Sequence, residues 1–129
     1  MLDVLLVDDD DAMRRVWTKF LGQSGLSVEA ESNALSAIRV LERMRVLVVV
    51  SDEDMSLSGG PRGTALLDTV RRRWPRTGRV LFTGMSNVER AALAVGALVL
   101  RKGDRPGDAR RAIIAEVQDA ERRYAVSPR

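Results

Sequence analysis

Val46-Leu47-Val48-Val49-Val50-Ser51-Asp52-Glu53-Asp54-Met55 is the stretch from which the rest of the chain can be read. Five apolar, mostly β-branched residues follow one another without polar alternation, the pattern of a strand covered on both faces, and carboxylates come immediately after. The same succession opens the chain, where Leu2 to Val7 leads into Asp8-Asp9-Asp10-Asp11. Further on, Arg79 to Phe82 leads into Thr83-Gly84, and Leu98 to Leu100 into Arg101-Lys102. Ser27 to Glu31 is a weaker fifth candidate strand.

The intervening segments carry apolar residues at a period near 3.6. Met13, Val16, Trp17, Phe20 and Leu21 form one stripe, and Leu35, Ile38 and Leu41 a second. Leu66, Leu67, Val70 and Trp74 form a third, and Val88, Ala91, Ala92 and Val95 a fourth. The fifth comprises Ala109, Ala112, Ile113, Val117 and Ala120, with Glu116 at its edge. Gly22 and Gly25, the Gly59 to Gly63 stretch, Pro75 and Gly96 fall where such helices and strands should end. Strict alternation of five strands with five helices predicts an α/β domain: a parallel sheet, right-handed crossovers and helices on both faces. One domain over 1–124 is expected, with 125–129 as a short tail.

Composition removes several chemistries. The 129 residues include no cysteine and no histidine, so thiol catalysis, a Cys/His zinc site and imidazole acid–base catalysis are excluded. Forty-five per cent hydrophobic and 30% charged residues describe an ordinary globular domain. The apolar runs, Val46 to Val50 among them, are far below the roughly 18 residues of a membrane span, so no membrane contact and a cytoplasmic location are the expectations. The net charge of +3 conceals a division, because residues 1–59 carry 6 basic and 11 acidic side chains and residues 60–129 carry 15 and 7. Only two of the 21 basic residues are lysines, Lys19 and Lys102.

In open parallel sheets, ligands sit beyond the carboxyl ends of the strands. Carboxylates after the first and third strands, a hydroxyl after the fourth and a lysine after the fifth therefore converge on one edge. Crowded carboxylates repel unless a cation compensates, and Mg²⁺ takes one or two carboxylates together with waters and phosphate. Thr83 and Lys102 add a hydroxyl donor and a positive charge suited to phosphoryl oxygens. The set reads as a phosphoryl-transfer site with an aspartate as acceptor. Asp10 and Asp11 read instead as the N-terminal cap and first turn of the first helix.

On these residues the chain resembles the receiver domain of bacterial two-component response regulators. Leu5-Leu6-Val7-Asp8-Asp9 is similar to the family's acidic pair, Asp52-Glu53-Asp54-Met55 to its phosphoacceptor Asp-x-x-Met, Thr83-Gly84 to its switch hydroxyl and small neighbour, and Lys102 to its lysine. The resemblance implies a doubly wound, flavodoxin-like (βα)5 fold with strand order 2-1-3-4-5. It implies that Asp52 takes a phosphoryl group from the phosphohistidine of a histidine kinase or histidine phosphotransferase. Asp9, Asp52 and the backbone carbonyl of Asp54 would ligate Mg²⁺, with Asp8 acting through water. Lys102 would bind phosphoryl oxygen, Thr83 would swing toward it, and Gly84 would leave access open. Such a domain is no enzyme beyond catalysing its own phosphorylation and dephosphorylation.

The fourth helix, fifth strand and fifth helix would then form the surface that switches, either for a homodimer or for a downstream effector. Ending at Arg129, the chain would work through protein contacts. The pattern departs from the family at Val99, where an aromatic is usual, and at Ser56 and Gly103, where proline is usual. The Ser56 to Gly63 loop is Gly-rich and about three residues longer than in the family.

Three other readings compete. A phosphorylation-independent pseudo-receiver is opposed by intact Asp52, Thr83 and Lys102. A phosphohydrolase built on Asp8-x-Asp10 is opposed by Ala12, where such enzymes carry Thr or Val. Direct DNA binding is not expected, because the runs Arg71, Arg72, Arg73, Arg76, Arg79 and Arg110, Arg111, Arg122, Arg123 lack interleaved aromatics and read as solvated helix faces.

Overall fold

The structure is a computed structural model and describes residues 1–126. Its elements alternate as expected: β1 (Leu2–Val7), α1 (Asp11–Gly22), β2 (Val28–Glu31), α2 (Ala34–Arg43), β3 (Val46–Ser51), α3 (Gly63–Arg73), β4 (Gly78–Thr83), α4 (Glu89–Ala94), β5 (Leu98–Arg101) and α5 (Pro106–Ala125). The strands form one parallel sheet in the order β2-β1-β3-β4-β5. Ala125, assigned to a tail from the sequence, closes α5, and residues 127–129 of that tail lie outside those described.

Each face of the sheet has its own core. On one, Ala34, Ala37, Val40 and Leu41 of α2, Leu66, Leu67 and Val70 of α3, and Ala92 of α4 pack against Leu5, Val7, Val49 and Leu81. On the other, Trp17 and Leu21 of α1 and Ala109, Ile113, Val117 and Ala120 of α5 pack against Val4, Leu6, Val48, Val50, Val80 and Phe82. Trp17 meets Phe20 and Phe82 edge to face, with ring centroids 5.3 and 4.8 Å apart. The central strands β1, β3 and β4 are buried on both faces because helices cover both.

Several expectations need correction. β5 is not buried on both faces: as an edge strand it pairs only with β4, and all four of its residues are at least partly exposed. Leu35 and Val16 point to solvent at 59% and 61% exposure. In α2 the buried residues are Ala34, Ala37, Val40 and Leu41, with Ile38 packed beside them, so of the expected stripe only Leu35 falls outside, and Asn33 caps the helix through the Ser36 N–H at 2.9 Å. Ala91 is exposed, since α4 is only six residues long and buries Ala92 alone.

Register places the chemistry. Val7 lies opposite Ser51, Ser51 opposite Leu81, and Thr83 opposite Arg101. The residues that follow each strand therefore emerge side by side along one edge.

Candidate functional site

Two backbone constraints fix the acidic residues. The Asp52 N–H donates to Val7 O at 2.9 Å and the Asp8 N–H to Glu31 O at 3.1 Å, so the ladders extend one residue past the strands and hold both aspartates at the edge. Beyond them the chain turns into helices. Asp10 caps α1, accepting from the Ala12 and Met13 N–H groups at 2.9 and 3.2 Å, and Asp11 in the first turn pairs with Arg14. These two are thus structural, as read from the sequence.

Asp8, Asp9 and Asp52 each offer a carboxylate oxygen within 4.8 Å of the others. Lys102 Nζ donates to Asp8 Oδ2 at 2.9 Å and to Asp52 Oδ2 at 3.0 Å, reaching across the sheet from the end of β5. Asp8 Oδ1 also accepts the Asp10 N–H at 2.9 Å, and Asp9 Oδ2 the Ser58 N–H at 3.1 Å. Burial raises the Asp8 carboxyl above its ordinary range, outweighing the hydrogen bonds from Lys102 and the Asp10 amide that favour its anion. Burial alone would lower the Lys102 ammonium, but its hydrogen bonds to Asp8 and Asp52 leave it raised. Three carboxylates against one ammonium leave two negative charges uncompensated. This donor set, all hard oxygen and clustered within one ion's reach, fits a divalent cation such as Mg²⁺.

Asp54 contributes no carboxylate to the cluster. It is exposed, and hydrogen bonding first from the Ser56 side chain and then from the Ser56 N–H, which Oδ1 accepts at 2.9 Å, holds its carboxyl below the usual range. Of the groups expected to bind metal, only its backbone carbonyl remains available from this residue.

Thr83 is fully buried and joins the site through the backbone: its carbonyl accepts the Lys102 N–H at 3.1 Å. Its hydroxyl accepts the Met85 N–H at 3.0 Å. Gly84 is exposed, and a Cβ there would meet nothing within 4 Å, so the approach beside Thr83 is open.

Four contributors were not assigned to the site from the sequence. Glu53 is 4% exposed, and its two carboxylate oxygens take the Thr64 N–H at 2.7 Å and the Thr64 hydroxyl at 3.0 Å, capping α3 from the end of β3 where Arg62 offers no side-chain cap. Gly63, the first residue of α3, passes so close to β3 that a Cβ would lie 1.9 Å from Asp52 O. Ser58, in the long loop, orients Asp9. Arg101 reaches back from β5 to the Met85 carbonyl and the Glu89 carboxylate, so that Met85 is gripped through its N–H by Thr83 and through its C=O by Arg101. A buried acidic residue beside an Asp and a Gly at a helix start were the only sequence signals available for the first two. Ser58 acts through its backbone N–H and Arg101 partly on the Met85 carbonyl, contacts that leave no sequence signal.

Several arginines of the runs are paired within the fold. Arg71 and Arg72 pair with Asp68, and Arg73 pairs with Glu42. Arg79 corrects the expectation of a solvated face: it is partly buried and donates to the carbonyls of Val95, Pro75 and Thr77.

Comparison with known proteins agrees with this geometry. The family model for the response regulator receiver domain matches residues 4–102. The response regulator protein FleR of Pseudomonas aeruginosa is 36% identical over 92 residues, covering 71% of this chain and 19% of that protein. An NtrX-like response regulator of Rickettsia bellii is 26% identical over 96 residues, covering 74% of this chain and 20% of that protein. The chain thus spans about a fifth of the length of the curated relatives it matches. A CheY-like response regulator receiver domain protein from Methanospirillum hungatei superposes with a TM-score of 0.85 at 24% identity, covering 95% of this chain and 99% of that one. The signal receiver domain of an HD domain-containing protein from Pseudomonas fluorescens superposes at 0.86 with 19% identity, over 98% and 93%. With the family's residues brought to one sheet edge and its model matched from β1 to Lys102, the chain belongs to the response regulator receiver domains of two-component systems.

Proposed function

We propose that the domain accepts a phosphoryl group on Asp52, in a Mg²⁺-dependent reaction, from the phosphohistidine of a histidine kinase or phosphotransferase. The observation that carries the reading is Lys102 Nζ held within 3.0 Å of Asp52 and Asp8 while Asp9 closes the oxygen cluster. An Asp52 carboxylate oxygen attacks the phosphorus, the O–P bond forms, the P–N bond breaks, and the imidazole leaves with its electron pair and takes a proton from solvent. Asp8, Asp9, Asp52 and the Asp54 carbonyl would hold Mg²⁺, which supplies positive charge to the transferring group. Lys102 is placed to pass from the Asp52 carboxylate to a phosphoryl oxygen, a charge-assisted contact that costs little movement. The domain acts on itself alone and is no enzyme toward other substrates.

The switch follows from Met85. When the Thr83 hydroxyl turns toward a phosphoryl group, the Met85 N–H loses its acceptor, and the loop leading to α4 is free to rearrange. The α4/β5/α5 surface exposes Leu93 at 81% and Leu98 at 40%, apolar residues suited to an effector or to a second receiver.

Incubation with acetyl phosphate and Mg²⁺ tests the proposal. Intact-mass measurement should show one added phosphoryl group in the wild type, none in Asp52→Asn and none with chelator. A wild type that gains no mass under conditions that label a control receiver would overturn it in favour of a phosphorylation-independent interaction module.

A further inference from the structure

The amino ends of the strands, the pole opposite the carboxylates, carry a cavity of about 400 Å³ lined by Arg43, Arg45, Arg73, Arg76, Trp74 and Tyr124 among others. Its one acidic lining residue, Glu42, is taken by Arg73 at 2.9 Å, and Arg43 is paired outside it with Glu29 at 3.4 Å. Arg45 and Arg76 have no carboxylate partner among the described residues, and Arg76 Nη1 is buried without any acceptor.

Both guanidiniums lie over the Tyr124 ring at 4.7 Å. That ring is fixed in turn, since its hydroxyl shares a 2.7 Å hydrogen bond with Thr77 Oγ1, which donates to Val46 O at 2.8 Å. Arg76 Nη1 has no acceptor of its own, and guanidinium donors match the paired oxygens of a phosphate or carboxylate.

The surroundings show an excess of positive charge rather than a set of helix caps. The loop carbonyls between α3 and β4 are taken by other arginines, Pro75 O and Thr77 O by Arg79 and Arg76 O by Arg123, so they leave Arg45 and Arg76 unused. Arg79 is itself pushed down by burial first and then by the charges of Arg123 and Arg71. Nucleobase stacking is disfavoured, because guanidiniums already cover the aromatic rings: Arg73 sits 4.4 Å over Trp74.

We propose that this cavity is an anion site, in which Arg45 and Arg76 hold a small oxyanion of the phosphate or phosphate-monoester class. It is independent of Asp52 chemistry and lies at the other end of the sheet.

Titration of the full chain with inorganic phosphate, followed by two-dimensional NMR at constant ionic strength, tests the site. Saturable shifts are expected at Arg45, Arg73 to Thr77 and Tyr124, with malonate as the arm that separates a carboxylate ligand from phosphate. Arg45→Gln/Arg76→Gln should weaken the apparent Kd by at least about tenfold, the loss expected for two charge-assisted contacts. Arg71→Gln/Arg72→Gln, an equal charge loss at arginines already paired with Asp68, should leave it unchanged. Shifts that are non-saturable, that chloride reproduces, or that cluster at Lys102 instead would overturn the proposal. The wild-type map decides this even if a variant folds poorly.

Discussion

Replacing Gly63 with alanine puts a methyl group where the backbone of β3 already is. The added Cβ would stand 1.9 Å from Asp52 O, 2.8 Å from Asp52 C and 2.9 Å from Ser51 Oγ, and real Cβ contacts essentially never fall under 3.0 Å. Two of the three neighbours cannot rotate away, being main chain. The start of α3 must therefore retreat by at least 1.1 Å, the difference between 1.9 and 3.0 Å. That retreat lengthens the Gly63 N–H to Glu53 O bond from 3.2 Å beyond hydrogen-bonding range and pulls Thr64 from the Glu53 carboxylate, now 2.7 and 3.0 Å away. Three hydrogen bonds at about 1 kcal/mol each give a loss of about 3 kcal/mol, and the overpacking adds to it. Gly22→Ala is the control: it lies in α1 with nothing within 4 Å of its Cβ, and alanine there should be neutral or stabilising by up to about 1 kcal/mol. Urea unfolding followed by far-UV circular dichroism measures both. A Gly63→Ala midpoint within about 0.5 kcal/mol of the wild type would refute the close approach and the capping role of Glu53 with it.

Asp9→Asn should raise the melting temperature in chelator by relieving carboxylate repulsion, and should remove the Mg²⁺-dependent stabilisation, worth about 2.7 kcal/mol at a hundredfold excess over Kd. Calorimetry with and without MgCl2 checks this, and retained Mg²⁺ dependence would count against Asp9 as a ligand. The Lys102 ammonium is raised on folding, so its stabilisation is complete below the ordinary lysine range and lost as pH rises through the folded value. The alkaline fall in stability of the metal-free protein should be smaller in Lys102→Gln. The Asp8 carboxyl is also raised, so its contribution is present below the ordinary carboxylate range and lost as pH rises through the folded value. Asp8→Asn should flatten the decline that sets in as pH rises above the ordinary carboxylate range. Arg101→Gln should speed amide exchange of the Met85 to Glu89 segment by up to about tenfold, one lost hydrogen bond, whereas Glu89→Gln should do less because that pair is largely exposed. Unchanged exchange in Arg101→Gln would remove Arg101 from the switch.

The elements that could be read in advance were those whose signal is local. Val46 to Val50 is covered on both faces wherever it folds, and Asp10 caps the helix that follows it. The residues whose placement depends on a neighbour in space were less legible. Leu35 and Val16 follow the helical period but sit just off the buried stripe, since the period does not state which face turns toward the sheet. Leu98 to Leu100 reads like a central strand because an edge is a property of the sheet. Within the site, Asp8, Asp9, Asp52 and Lys102 are legible because each follows a strand, and the carboxyl ends of parallel strands share one edge. Asp54 was placed through its carbonyl, and the structure leaves its carboxylate on Ser56. Ser58 stayed hidden because it acts through its own N–H, and Arg101 because one of its contacts is a backbone carbonyl, and main-chain groups look the same at every position.

The contact between Lys102 and Asp8 spans 94 residues, and that between Lys102 and Asp52 spans 50. Contacts of such high order close late in folding, when loop entropy has already been spent on nearer pairings. A chain elongating from its amino end completes all three carboxylates and Thr83 before β5 exists. Until that last edge strand docks on β4, the carboxylates have no counter-charge. The Lys102 contacts with Asp8 and Asp52 thus form only once β5 is in place beside β4.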